Sequence, residues 1–124
     1  MEDVITTEWQ LLYANNPKIQ NFGVIKGNDV IWQTNNWNLM KDVDEIRNAV
    51  PIAKSAISIG KITYDRIQSD DDYYIGTSQK NKGHIIICHI EEDAWVVSKC
   101  APESIYELAR IDVARTAIKL IGFV

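Results

Sequence analysis

Residues 56–98 read AISIGKITYDRIQSDDDYYIGTSQKNKGHIIICHIEEDAWVVS. Five runs rich in β-branched and aromatic residues stand out: Ala56 to Gly60, Ile62 to Gln68, Tyr73 to Ser78, His84 to Ile90 and Ala94 to Ser98. Compact polar dividers part them, namely Ser69-Asp70-Asp71-Asp72, Lys80-Asn81-Lys82-Gly83 and Glu91-Glu92-Asp93. Dividers this short cannot hold the dozen or more residues of a parallel crossover, so neighbouring strands must run antiparallel. Gly60-Lys61 separates two runs with no real loop and predicts a bend or bulge. An antiparallel meander therefore forms the body of the fold.

Upstream, Phe22-Gly23-Val24-Ile25 and Val30-Ile31-Trp32-Gln33-Thr34 flank Lys26-Gly27-Asn28-Asp29, whose Gly, Asn and Asp suit a tight β-hairpin turn. Asp42-Val43-Asp44-Glu45 reads as a capping box leading into a short helix from Ile46 to Val50, ended by Pro51. Nearer the start, Thr7-Glu8-Trp9-Gln10 reads as another capping box, and Asn15-Asn16-Pro17 stops that helix after about two turns. Trp9, Leu12 and Tyr13 share one of its faces. Downstream, Pro102 and Glu103 suit the first turn of a helix running to about Ile121. Ile105, Ala109, Val113, Ala117 and Leu120 form its apolar row, while Glu103, Glu107 and Arg110 fall on a different face. The predicted class is α+β: one central antiparallel sheet, helices at both ends of the chain and a short helix after the first hairpin.

A length of 124 residues, 46% hydrophobic and 24% charged, predicts a single domain over residues 1–124. A net charge of −4 argues against a nucleic-acid backbone as main ligand. No apolar run nears the ~18 residues of a transmembrane helix, and Met1-Glu2-Asp3 opens the chain with acid, so the expected location is cytoplasmic. Cys88 and Cys100 lack a CxxC spacing and are expected to be buried free thiols. His84 and His89, five apart in a strand, point to opposite faces and cannot share a metal. Without a nucleophile motif, a phosphate loop or a metal-ligand set, neither enzyme chemistry nor a cofactor is expected. Asp70-Asp71-Asp72 reads as a solvated turn, whereas Lys80 and Lys82 add positive charge where an anionic headgroup or acidic protein surface can dock.

The aromatic residues Trp9, Tyr13, Trp32 and Phe123 have two readings. They fill the core, or they line a groove that grips a proline-rich segment in its preformed polyproline II helix.

This string of features resembles the profilin family. The shared points are a Trp in a short N-terminal helix, a hairpin ending in Ile31-Trp32 with a short helix after it, and the junction Ile57-Ser58-Ile59-Gly60-Lys61-Ile62. A Lys-bearing turn closed by Gly83 and a long terminal helix complete the likeness. It looks like a minimal, divergent member of the archaeal kind. The resemblance implies terminal helices packed on one face of the sheet and a monomer that binds actin or an actin-like monomer, regulating filament assembly in the cytoskeleton. It implies proline-rich segments and phosphoinositide lipids as further ligands. The implied actin-facing residues are Thr63, Asp65, Arg66 and Gln68, then Lys80 and Lys82, then Glu103, Ser104, Glu107 and Arg110. Trp9, Tyr13, Trp32 and Phe123 are the implied polyproline set. The competing reading is a roadblock or longin-type dimeric scaffold for small GTPases, which wants a long helix between the second and third strands, where Asp42 to Val50 is short.

Overall fold

The structure, a computed structural model, describes residues 2–124, with side chains from residue 4 onward; the acidic opening at Met1 lies outside the described residues. The elements are α1 (Glu2–Asn15), β1 (Ile19–Lys26), β2 (Asp29–Gln33), a 3-10 turn (Met40–Asp42), α2 (Val43–Ile52), β3 (Ala56–Ile59), β4 (Ile62–Ser69), β5 (Tyr73–Thr77), β6 (His84–Glu91), β7 (Ala94–Cys100) and α3 (Tyr106–Leu120). All seven strands join one antiparallel sheet in the order β2-β1-β7-β6-β5-β4-β3. The meander β3 to β7 walks across the sheet one strand at a time, and β7 then meets the N-terminal hairpin, pairing Phe22 with Ser98 and Val24 with Val96. Ile85-Ile86-Ile87-Cys88 is buried on both sides of β6, as a strand covered by helices on each face requires.

Successive side chains of a strand point to opposite faces, and the two cores follow that alternation. Ile86 and Cys88 pack with Phe22, Val24 and Val96 beneath α1 and α3, which contribute Ile5, Leu12, Ala109, Val113 and Leu120. Ile85 and Ile87 pack with Ile25, Tyr64, Tyr74 and Val97 beneath α2, which contributes Val43, Ile46 and Val50. The terminal helices thus share one face and the short helix covers the other.

The starts of α1 and α3 depart from the expected positions, while α2 keeps Asp42 at its N-cap without the expected side-chain bond. Helix α1 runs back past Thr7 because Ile5 is fully buried in the core, and only a helical Thr6-Thr7 carries it there. Burying an isoleucine contributes about 1.5–3 kcal/mol against about 1 for a capping bond, so packing wins. At α2, Asp42 makes no cap bond; its Oδ2 accepts the Gly60 N–H at 2.9 Å, and Glu45 accepts from the Ser58 N–H and Lys54. These acids tie the helix to β3 and its turn. The chain turns on through Pro51 to Ile52 before Ala53 stops it in the left-handed region (φ 53°). Helix α3 begins at Tyr106, not near Pro102. The Ser104 hydroxyl donates to the Ala101 carbonyl (2.6 Å) and the Pro102 carbonyl is held by His84 Nε2 (3.0 Å), so residues 101–104 form a turn fastened to the sheet. Ile105, expected in the apolar row, is the extended residue before the helix and stays 64% exposed.

Cys88 and Cys100 are buried free thiols, as the spacing indicated. Burial pushes the Cys88 thiol up to about 12, leaving about one part in ten thousand as thiolate at pH 8. Native protein at pH 8 is expected to leave Cys88 unmodified by iodoacetamide over hours and to react fully once unfolded. Mass spectrometry reads the outcome, and prompt native labelling of Cys88 would contradict the packing.

Candidate partner-binding surface

On the α1/α3 side of β4, alternation presents Thr63 and Asp65 while Tyr64 turns inward under α2. A bulge between Arg66 and Gln68 shifts the register and brings Gln68 back to the Asp65 side, where its amide donates to the Tyr73 hydroxyl at 2.6 Å. The Arg110 guanidinium of α3 lies 4.6 Å above the Tyr73 ring, a cation–π contact that joins the helix to the sheet. Asp65 accepts from the Gln79 amide, fixing the turn that carries Lys80 and Lys82. Between this turn and the β3–β4 hairpin lies a groove of about 360 Å³ lined by Lys61, Ile62, Thr63, Asp65, Lys80 and Lys82, among others. A second hollow of about 370 Å³ surrounds Arg110 and Tyr73 with Asp70, Asp72, Ile118 and Ile121. The result is one strip running from a lysine-rich end across a central Tyr–Arg stack to an acidic end.

His84 sits at the edge of this strip with both ring nitrogens engaged. A carbonyl only accepts, so Nε2 carries the proton toward Pro102 and, in the neutral ring, Nδ1 accepts from the Thr77 hydroxyl at 2.9 Å. The Tyr106 ring lies 5.4 Å away. His89 is on the opposite face against Trp95, its Nε2 on the Glu92 carbonyl. Among the described residues no group of three or more His, Cys, Asp or Glu side chains could hold a metal ion.

Trp9 stacks on Phe22 at 5.4 Å, Phe22 meets the edge of Trp32 at 5.9 Å, and Trp9 lies 5.4 Å from Tyr13. Trp32 donates its indole N–H to the Thr6 hydroxyl (3.1 Å). A groove of about 420 Å³ opens here between α1 and β2, lined by Trp9, Tyr13, Trp32, Gln33 and Thr34, among others. The rings differ in depth: Phe22 is core, Tyr13 is exposed, and Trp9 and Trp32 are half-buried between them. Phe123 does not join them. The Gly122 N–H donates to Glu91 Oε1 at 2.8 Å and Gly122 turns with φ 86°, pinning the end of the chain at the β6–β7 hairpin and leaving Phe123 50% exposed without a ring partner among the described residues.

No family model matches the chain. Thor profilin of Thorarchaeota archaeon (strain AB_25) is 28% identical over 130 residues, taking in 98% of both proteins. The crystal structure of LokiProfilin1 superposes with a TM-score of 0.89 at 25% identity, covering all of both chains. Along its whole length the chain is similar to the archaeal profilins in sequence and in fold. The LokiProfilin2/Rabbit Actin Complex structure carries the same fold, with a TM-score of 0.87 at 21% identity over all of both chains.

In this chain the residues named from the sequence separate by depth and by face. Thr63, Asp65, Gln68, Lys80, Lys82 and Arg110 gather on the strip; Glu103 is exposed in the turn before α3 and Glu107 in its first turn. Arg66 points the other way, its guanidinium donating to the Ala53 carbonyl at the end of α2. Ser104 is only 8% exposed, with its hydroxyl spent on Ala101. Tyr73, His84 and Tyr106 were not among the surface residues named from the sequence, and neither were Leu108, Ile111 and Ile118, which α3 leaves exposed. The helical spacing of Leu108, Ile111 and Ile118 at i, i+3 and i+10 was the available signal.

Proposed function

We propose that this profilin binds an actin or actin-like monomer one to one through the β4–β5 strip, the Lys80–Lys82 turn and the exposed side of α3. The observation that carries this reading is the bonded row Gln68, Tyr73 and Arg110, which joins sheet and helix beside the Asp65–Gln79 bond that fixes the lysine turn. Mixed charge with exposed Leu108 and Ile111 suits a reversible, electrostatically steered interface. Two similar profilins were solved as complexes with rabbit actin. The protein acts as a cytoplasmic monomer without chemistry of its own: a monomer held in this complex is withdrawn from filament growth by mass action. Among the described residues no helix is long and apolar enough to cross a membrane.

Proline-rich segments are the proposed second ligand, favoured by the Trp9–Tyr13–Trp32 groove. Phosphoinositide headgroups fit the exposed Lys61, Lys80 and Lys82. The deciding experiment is assembly of pyrene-labelled actin with rising amounts of the protein, beside capture of actin monomer. Slower assembly with one-to-one capture is expected; no effect together with a dimer in solution would instead favour the scaffold reading. A proline-rich peptide is expected to shift tryptophan fluorescence saturably, and the shift should vanish in Trp9→Ala.

A further inference from the structure

The α2 side of the sheet holds a further pocket, which meets the lysine-lined groove at Ile62. Asn21 of β1, Lys99 of β7, Tyr64 of β4, Asn36, Trp37 and Gly60 enclose about 310 Å³, the lower end of the size range of small-molecule sites. Tyr64 is wholly buried, yet its hydroxyl has no hydrogen-bond partner among the described residues. The neighbouring buried tyrosine behaves differently: the Tyr74 hydroxyl donates to the Lys54 carbonyl at 2.5 Å. Buried polar groups are ordinarily paired, and an orphan is costly.

Its position has a structural cause. A Cβ at Gly76 would stand 2.9 Å from Tyr64 Cβ, so the glycine on β5 lets the tyrosine lie across that strand. Tyr64 is one of the residues that line the pocket, together with Lys99 and Asn21 of the strands beyond. Burial raises the Tyr64 pKa above the usual tyrosine value, so the group stays protonated and acts as a donor. Lys99 spends one hydrogen on Gln20 Oε1 at 3.4 Å and keeps two. The Asp42 carboxylate beside the Gly60 edge is already taken by the Gly60 N–H.

We propose that this pocket binds a small oxyanion, a carboxylate or a phosphate, with the Tyr64 hydroxyl and the Lys99 ammonium as its donors. A cationic ligand would face Lys99, and an apolar one would leave Tyr64 unpaired; an anion with acceptor oxygens satisfies both. This inference does not rest on the proposed partner surface, which shares only Ile62 with the lining of this pocket.

Inorganic phosphate and acetate are titrated separately at constant ionic strength, following the Trp37 indole N–H in ¹H–¹⁵N spectra, with Trp37→Phe assigning the signal. A saturable shift with at least one anion is expected, and the tighter of the two identifies the source. Tyr64→Phe and Lys99→Met are each expected to weaken binding about tenfold or more, whereas Lys119→Met, at the end of α3, leaves it unchanged. Tyr64→Phe removes an oxygen without a protein partner, so its thermal midpoint should equal or exceed that of the parent. Absence of saturation with both anions, equal affinity in Tyr64→Phe, or a lowered midpoint in that variant would each overturn the proposal.

Discussion

Gly83→Ala is expected to cost about 3 kcal/mol or more of folding stability. Gly83 closes the Lys80–Lys82 turn and leads into β6 with φ 120°, where an L side chain is strained by about 1–3 kcal/mol. A second cost adds to the first. The new Cβ would stand 2.4 Å from the Cys100 carbonyl oxygen, a backbone atom rather than a flexible side-chain tip. Cys100 pairs with His84 on one side and Ile19 on the other, so it cannot retreat without breaking the β6–β7–β1 seam. The carbonyl of Gly83 is meanwhile held by the Ser78 N–H at 3.0 Å, which blocks relaxation of the turn. Gly122→Ala is the control: φ is 86° but nothing lies within 4 Å of the added carbon, so only strain of about 1 kcal/mol remains. Urea unfolding of both variants measures the difference, and a Gly83→Ala cost within about 1 kcal/mol of the parent would refute the clash.

The legible parts of this fold are those set by neighbours in sequence. The strands of the meander lie within two residues of their expected ends because Asp, Asn and Gly turns punctuate them. Even Gly60-Lys61 behaves as read: both residues have positive φ, making a two-residue hairpin between Ile59 and Ile62. The pairing of β1 with β7 joins residues some eighty positions apart, and no periodicity encodes it. Asp42 stands at the N-cap of α2 as its box implied but spends its carboxylate on Gly60, whereas the start of α1 was misplaced because the burial of Ile5 is a tertiary effect. At the candidate surface, Thr63, Asp65 and Gln68 were named through the family resemblance, but the bulge that separates Arg66 from Gln68 is invisible in the pattern. Regular alternation would have put Gln68 beside Arg66; the bulge puts them on opposite faces.

That separation allows a sharp contrast between two arginines. Arg110→Glu is expected to weaken capture of the actin monomer by about thirtyfold or more, roughly 2 kcal/mol, as for an arginine at the centre of an interface. The Tyr73 ring holds the Arg110 guanidinium in place before binding, so little side-chain entropy is lost on association. Reversal removes that stack and sets a carboxylate in the same hollow as Asp70 and Asp72, where like charges repel. The fold itself should lose only about 1 kcal/mol, because the contact is half-exposed. Arg66→Glu, on the α2 side, is expected to leave capture within about threefold, since its guanidinium serves the Ala53 carbonyl. Both variants are measured by monomer binding beside thermal unfolding. If Arg66→Glu costs more binding than Arg110→Glu while both remain folded, the partner sits over α2 and the strip joined by Tyr73 and Arg110 is not the interface.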